Sequence, residues 1–348
     1  MSEPEIFCER RGAAGIVRLN RPKALNALTL GMVRIMHEAL DAWEHDEAVK
    51  CVVVTAAGDR AFCAGGDIRN LYDLGLAGRV NEALQFWWEE YPLNVRIKRY
   101  PKPYVALIDG IVMGGGVGVS LHGSHRVAGE RYAFAMPEVG IGFFPDVGAT
   151  YALPRLPGNV GTYLALTGAR VGQGDALALG LATHAASSAA LADIEQALIA
   201  GEGVDRVLRT HSSAPKAGQL DEHRAAIEAC FSGARVSDII TALEGAMIRG
   251  LAFASDAAAT MATKSPTSLA IALEQMRRGR ELSFEDAMRV EFRIVSRIVL
   301  GHDFYEGVRA LIVDKDQAPA WEPAAIGDVT EAAVAAYFAP LDKELELP

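Results

Sequence analysis

Two carboxylates stand in a short loop that is otherwise apolar. Glu138 and Asp146 lie eight positions apart, and the side chains around them are Phe134, Met136, Ile141, Phe143, Phe144 and Pro145. Carboxyl groups held among apolar side chains lose solvation, which raises their pKa toward neutrality and suits them to acid–base chemistry. Because Gly140, Gly142 and Pro145 forbid a regular helix here, only a looped excursion of the chain would bring both acids to one pocket.

Each acid also has a structural interpretation. Asp146 directly precedes a helical pattern at Val147, so its side chain is a candidate N-cap, and Glu138 could serve as a local cap. A capping role and a catalytic role do not exclude each other, and the sequence leaves both open.

Two glycine-rich turns could supply the electrostatic partner of these acids. Gly114, Gly115 and Gly116 follow a strand-like apolar run and precede a helical pattern, and Gly65-Gly66 begins another helical pattern. Glycine lets backbone N–H groups approach a ligand, and a helix N-terminus attracts negative charge. Two such N–H groups converging on one carbonyl oxygen would form an oxyanion hole. The structural alternative is that the glycines only permit close packing of a helix on a sheet.

Other chemical motifs fail on their spacing. A dinucleotide-binding GxGxxG would need glycine at Leu121, and neither GxxxxGK[ST] nor GxSxG occurs. His122 and His125 lack a third candidate metal ligand, so packed or surface histidines are expected. The cysteines form no CxxC pair and no zinc spacing, which predicts free thiols and no metal site: Cys8, Cys51, Cys63 and Cys230.

Composition limits the remaining classes. The chain has 348 residues, a net charge of −10 and 50% apolar residues, which fits a globular protein of about two domains. No basic stripe indicates nucleic-acid binding. No apolar signal segment opens the sequence, and no run reaches the roughly 18 apolar residues that a membrane span needs. A cytoplasmic location is therefore expected.

The elements that must position these residues follow an α/β pattern. A hairpin is predicted over 5–10 and 15–20, helices over 30–45 and 81–99, and strands over 51–55, 104–108, 126–128 and 132–135. Strand–loop–helix repeats with β-branched strands indicate helices covering a sheet. The Ala- and Ser-rich stretch 184–219 is a candidate linker, and the pattern after residue 221 is helical almost throughout.

Several charged residues flank the expected site. Glu89-Glu90 follow two tryptophans on the second helix, so they form either a solvated face or a pair of which one acid reaches the pocket. Arg21, Lys23 and Arg69 lie near the glycine loops, where they could meet phosphates, although surface charge is the simpler interpretation.

Several segments carry a family resemblance. The segments that resemble the enoyl-CoA hydratase/isomerase superfamily, the crotonase fold, are RPKALNAL (21–28), AFCAGGDI (61–68) and MGGGVG (113–118). Within it, the chain is similar to the 3-hydroxyisobutyryl-CoA hydrolases in EEYPLN (89–94), FAMPEVGIGFFPDVG (134–148) and GHDFYEGVRALIVDKD (301–316). The resemblance extends over essentially the whole chain.

The resemblance implies a superhelix of ββα turns over residues 1–190, which carries the active site, and a mainly helical C-terminal region over 191–348. It implies an acyl-CoA substrate and no separate cofactor. Residues matching the family's motifs would form the catalytic pair (Glu138, Asp146), the oxyanion hole (Gly66, Gly115) and the substrate contacts (Lys23, Ala64, Asp67, Ile68 and Glu90, the last at the hydroxyl end). Members often form trimers, so a homo-oligomer is one expectation; C-terminal helices covering the same surface within one chain are the other.

One departure bears on the reaction. Hydratases of the superfamily use two glutamates, and the position of the first is Gly118 here. Adding water across a C=C bond needs both an acid and a base at that bond, so hydration is disfavoured and thioester hydrolysis is favoured. The expected reaction converts 3-hydroxyisobutyryl-CoA to 3-hydroxyisobutyrate and CoA, in valine breakdown. An enoyl-CoA hydratase or isomerase and a non-catalytic CoA-binding protein are the alternatives.

Overall fold

Two sheets built from alternating strands organise the first half of the chain. The computed structural model describes residues 3–215 and 217–348. The larger sheet has the order β1-β2-β3-β5-β7-β10, in which β1 is antiparallel to β2 and the other neighbours are parallel. Its strands are β1 (Ile6–Arg11), β2 (Ala14–Leu19), β3 (Cys51–Ala56), β5 (Tyr104–Ile108), β7 (His125–Ala128) and β10 (His184–Ala185).

The smaller sheet has the order β4-β6-β8-β9. Its strands are β4 (Ala61–Cys63), β6 (Ile111–Met113), β8 (Ala133–Ala135) and β9 (Val171–Gly172). The pairs β3–β4, β5–β6 and β7–β8 each place one strand in each sheet before the chain moves on, and this repetition is the ββα superhelix that the resemblance implied.

Helices cover the sheets and form most of the second half. Up to residue 179 they are α1 (Leu30–His45), α2 (Ile68–Leu76), α3 (Val80–Arg99), α4 (Gly115–Gly118), α5 (Ala149–Ala152), α6 (Val160–Thr167) and α7 (Gln173–Leu179). After it come α8 (Ala190–Ile199), α9 (Val204–His211), α10 (Arg224–Cys230), α11 (Val236–Ile248), α12 (Ala252–Ala262), α13 (Pro266–Gly279), α14 (Phe284–Ile298), α15 (His302–Val308) and α16 (Glu331–Tyr337). A π-helical turn, Arg309–Val313, continues α15.

Local sequence signals explain the elements nearest the site. Helix α1 begins as predicted, because the Thr29 hydroxyl accepts the N–H of Met32 at 3.3 Å. Strand β3 is β-branched because both of its faces are buried: Val52 and Val54 face the main core, and Val53 faces a second cluster on the other side of the sheet.

The candidate linker over 184–219 is wrong for most of its described residues. It contains α8 and α9, whose Ile194, Leu198 and Val207 pack on the sheet face that carries Val53 and Val105. A few large apolar side chains are enough to cover this face of the sheet. The alanine-rich sequence between them therefore gave only a weak helical pattern. The division of the chain at 190/191 stays a prediction; it falls between the first and second residues of α8.

The C-terminal helices pack directly on the elements that carry the candidate acids. Helix α14 packs on α3 and α5, and α13 packs on α5 and α6. Within residues 3–215 and 217–348, none of the helices combines the length and apolar composition that a membrane span requires.

Candidate active site

Glu138 opens a single 3-10 turn, Glu138–Ile141, that follows β8 and Pro137. The residue is only 7% exposed. Burial raises the pKa of its carboxyl well above the ordinary value, and the nearby charge of Asp146 raises this pKa further. Its Oε2 has no hydrogen-bond partner within the described part of the chain. Once ionised, a desolvated carboxyl with a free oxygen can act as a strong base or nucleophile.

Asp146 lies against helix α3 and is 4% exposed. The Tyr91 hydroxyl donates a hydrogen bond to its Oδ2 at 2.9 Å. Burial raises the pKa of Asp146 to about 7, although the bond from Tyr91 acts to lower it. The side chain is not the helix cap considered above, because α5 begins at Ala149 with Gly148 as its N-cap. Asp146 can therefore exchange a proton near neutral pH.

The turn after Asp146 is strained and is held from outside. Val147 has φ +52°, a left-handed conformation that β-branched residues rarely adopt, and Gly148 follows with φ +90°. Glu291 of α14, which is 0% exposed, accepts the N–H groups of Gly148 and Thr150, both at 2.9 Å. Burial raises the pKa of Glu291 to about 8, although these two N–H groups act to lower it.

Two further side chains hold the same turn. The Gln275 amide of α13 donates to the Pro145 carbonyl at 2.9 Å and to the Thr150 hydroxyl at 2.7 Å. His122 Nε2 donates to the Val147 carbonyl at 2.7 Å, and burial lowers the pKa of His122 to about 3, so the ring is neutral. The expectation of a packed histidine is thereby confirmed.

The Glu89-Glu90 pair divides between the two interpretations. Glu89 is solvent-facing and forms an ion pair with Arg34 at 2.6 Å. Glu90, the next residue of α3, is buried, and its Oε1 has no partner among the described residues. Burial raises the pKa of Glu90 well above the ordinary value, with the charges of Asp146 and Glu291 adding to the effect.

The glycine turns converge beside these acids. A Cβ placed on Gly114 would lie 3.2 Å from the Cα of Gly65 and 3.3 Å from Oε1 of Glu138. A Cβ on Gly115 would lie 2.7 Å from Oε1 of Glu90 and 3.3 Å from the carbonyl carbon of Gly65. Within residues 3–215 and 217–348, the N–H groups of Gly66 and Gly115 donate to no acceptor. Both glycine loops, Glu138 and Glu90 therefore border one space. The glycines allow this close packing, and the free N–H groups of the same loops can face a ligand.

Gly118 has no room for a side chain. A Cβ there would lie 2.8 Å from Nδ2 of Asn94 and 2.9 Å from Cβ of Val147, both shorter than a van der Waals contact. The place where a hydratase glutamate would begin is thus filled by neighbours from α3 and from the turn after Asp146.

The remaining predicted substrate contacts lie in two segments that are hydrogen-bonded to each other. Ala64 N–H donates to Leu25 O at 3.0 Å, and Asp67 N–H donates to Leu28 O at 2.8 Å. Asp67 caps α2 and pairs with Arg21 at 2.8 Å, and Ile68 is half-buried beside it. The exposed side chain of Lys23 borders a surface cavity of about 180 Å³ that is also lined by Asn26, Asp59 and Arg60. Their contacts with substrate stay predictions.

Four residues near the acids were missed from the sequence: Tyr91, Asn94, Gln275 and Glu291. Each is polar yet occupies the apolar face of its helix, and this placement was the available signal. Among the described residues, no group of three or more His, Cys, Asp or Glu side chains is arranged to hold a metal ion.

Comparison with known families places this architecture. The model of the enoyl-CoA hydratase/isomerase family matches residues 14–338. The chain therefore belongs to the enoyl-CoA hydratase/isomerase family, and the crotonase-like fold expected from the sequence is confirmed.

Within the family, the relatives carry different names. A Danio rerio protein named 3-hydroxyisobutyryl-CoA hydrolase, mitochondrial, is 44% identical over 349 residues, which are 97% of this chain and 90% of the relative. A solved carnitinyl-CoA dehydratase from Mycobacterium thermoresistibile is 46% identical, covers 98% of both chains and superposes with a TM-score of 0.93. A solved enoyl-CoA hydratase from Rhodobacter sphaeroides is 39% identical, covers 99% of this chain and 100% of its own, and also has a TM-score of 0.93.

Proposed function

We propose that this chain hydrolyses a short 3-hydroxyacyl-CoA thioester, and specifically 3-hydroxyisobutyryl-CoA, to the free acid and CoA. The observation that carries the proposal is a group of buried acids at the glycine turns: Glu138 and Glu90 border two turns with unpaired N–H groups, and Asp146 is close enough for its charge to raise the pKa of both. The hydrolase name of the Danio rerio relative, over 97% of this chain, supports the same reaction.

In the proposed reaction the thioester oxygen lies between the N–H groups of Gly66 and Gly115, which stabilise the negative charge that develops on it. Glu138 either attacks the carbonyl carbon, displacing CoA thiolate and leaving an anhydride that water then hydrolyses, or removes a proton from an attacking water. Asp146 delivers the proton that the departing thiolate needs. A single turnover in ¹⁸O-labelled water leaves label in the Glu138 carboxylate only if the anhydride forms.

The test is release of free thiol from 3-hydroxyisobutyryl-CoA by the wild type, Glu138→Gln and Asp146→Asn. Each substitution removes an ionisable group while keeping its size, and general acid–base groups contribute roughly 100-fold or more to rate. We expect fast release by the wild type and a loss of at least that scale in both variants. Glu89→Gln, on the solvent-facing side of α3, is the control and should keep the wild-type rate.

The second candidate is hydration or dehydration of an enoyl thioester, which the names of the two superposed structures favour. The packing around Gly118 opposes it, because no second acid fits there. If the enzyme consumes crotonyl-CoA, measured as a loss of the enoyl thioester absorbance, and releases no thiol, this second reaction is established instead. Binding of CoA without any turnover on a panel of thioesters would indicate a non-catalytic CoA-binding protein.

The remaining expectations have direct tests. We propose that no cofactor takes part, so thiol release should survive dialysis against EDTA. We propose a cytoplasmic location; the word mitochondrial in the relative's name is the alternative, and fractionation of cells of the source organism distinguishes them. A homo-oligomer stays a proposal that sedimentation of the full chain would test.

A further inference from the structure

A strip of polar side chains on α3 faces the glycines of α4. Glu90 and Asn94 lie one helical turn apart, as do Gly115 and Gly118, so each polar group meets one glycine. Oε1 of Glu90 lies 2.7 Å from the position of a Cβ on Gly115, and Nδ2 of Asn94 lies 2.8 Å from that of a Cβ on Gly118. The missing side chains leave the room in which these two groups sit.

Asn94 is fully buried, at 0% exposure, yet neither its Nδ2 nor its Oδ1 has a hydrogen-bond partner among the described residues. Oε1 of Glu90 is unpaired as well. Leaving buried polar groups unpaired is unfavourable, so protein interiors rarely keep them unless a ligand or water completes them. The Asn94 amide offers N–H donors and a carbonyl acceptor side by side, and a hydroxyl, which both donates and accepts, can pair with both.

We infer that Asn94 is a further specificity-determining residue of the active site, which binds a hydroxyl group one helical turn from Glu90, the residue expected from the resemblance at the hydroxyl end of the substrate. The inference rests on the proposed function, since the hydroxyl at hand is the 3-hydroxyl of the substrate. A water molecule carries the same chemistry, and the experiment separates the two sources. Asn94 thereby makes the enzyme selective for hydroxylated acyl chains, because a site that hydrogen-bonds a hydroxyl discriminates against an analogue that lacks it.

The experiment compares thiol release from 3-hydroxyisobutyryl-CoA and isobutyryl-CoA by the wild type, Asn94→Leu and Asn94→Ala. If the site holds the substrate hydroxyl, Asn94→Leu lowers kcat/KM for the hydroxylated substrate by roughly tenfold to a hundredfold and leaves the other rate nearly unchanged. If it holds a water used in the reaction, both substrates lose rate to the same extent. Glu89→Gln, on the same helix, is the control and should change neither rate.

Thermal unfolding of the same variants excludes a merely structural role. An unpaired amide does not stabilise the fold, so Asn94→Leu should unfold at the wild-type temperature or above it. Unchanged rates for both substrates in Asn94→Leu would overturn the inference, whatever the Tm of the variant. If the wild type cleaves neither thioester, the proposed function itself fails; if it cleaves the hydroxylated one and Asn94 variants retain the selectivity, only the inference fails.

Discussion

At the scale of single residues, the site concentrates carboxyl groups without cations to neutralise them. Glu90, Glu138, Asp146 and Glu291 are all buried, and no Lys or Arg in the described part of the chain forms an ion pair with them. Burial raises the pKa of each, to about 7 for Asp146 and about 8 for Glu291. Hydrogen bonds limit this rise for Asp146 and Glu291, and Tyr91 is the side-chain hydroxyl that acts on the pKa of Asp146.

Tyr91→Phe should shift the ionisation of Asp146 to higher pH. The hydroxyl stabilises the charged carboxylate, and removing it takes away one of the hydrogen bonds that oppose the effect of desolvation on the pKa of Asp146. We expect the ionisation near pH 7 in the kcat/KM profile for thiol release to move upward. Tyr100→Phe, whose hydroxyl donates to Leu40 O away from the acids, should keep the wild-type profile. A downward shift in Tyr91→Phe would contradict the assignment of this ionisation to Asp146.

At the scale of elements, the C-terminal helices reach into the site through the turn that carries Asp146. Gln275 of α13 and Glu291 of α14 hold Pro145, Gly148 and Thr150, on both sides of Asp146. The strained φ of Val147 persists because these bonds fix the turn on each side of it. We therefore expect α13 and α14 to matter for catalysis although neither contributes a proposed reacting group.

Glu291→Gln should lower kcat while KM stays within about threefold of the wild type. A glutamine can accept only one of the two N–H groups and opposes the other with its own NH2, so the turn shifts. A misplacement of about 1 Å can cost roughly 100-fold in rate, whereas the segments expected to hold CoA lie elsewhere. Steady-state kinetics of thiol release measure both constants. Glu285→Gln, in the first turn of α14, is the matched control, because its half-buried carboxylate pairs with Arg99 and holds no backbone N–H of the turn; a raised KM with unchanged kcat would contradict the positioning role.

The same contacts mark the limit of prediction from the sequence. Glu138 and Asp146 lie in the same stretch of sequence as the Gly114–Gly116 turn, and Gly65-Gly66 is a short motif of its own. The residue types of all of them indicate the chemistry that they could perform. The bond from Gly148 to Glu291 spans 143 positions, and no local pattern indicates which distant helix meets which turn. Glu291 and Asn94 were visible only as polar residues on apolar helix faces. Helices α8 and α9 were missed because alanine weakens the apolar pattern of α8 and because only Val204, Val207 and Leu208 are apolar in α9.

At the scale of the whole molecule, the buried acids link folding to pH. Between pH 6.5 and 8 an unfolded chain has released the protons of its carboxyl groups, whereas the folded chain retains those whose pKa lies higher. Stability therefore falls as pH rises through this window, by about 1.4 kcal/mol per pH unit for each retained proton. His122 does not reverse the trend, because above pH 6.5 it is mostly neutral in both states.

Urea unfolding at pH 6.5, 7.2 and 8 should show this decline in the free energy of unfolding. Glu291→Gln should show a shallower decline, because Glu291, with its pKa raised to about 8, retains its proton over most of this window and glutamine has no proton to release. Glu285→Gln, which removes a half-buried carboxylate paired with Arg99 and not one of the buried acids, should decline as the wild type does. A free energy of unfolding that rises with pH in the wild type would contradict the raised pKa values.

The crowding at Gly118 also has an evolutionary meaning. A glutamate arriving there by one codon change would collide with Asn94 and with the Cβ of Val147 before its carboxyl reached the substrate. A smaller residue at position 94 arriving first would remove the amide without supplying a second acid. A lineage moving from this site to that of a hydratase, or back, must therefore change two or more positions together or pass through a poor intermediate, so selection would tend to hold each reaction in its own branch of the family.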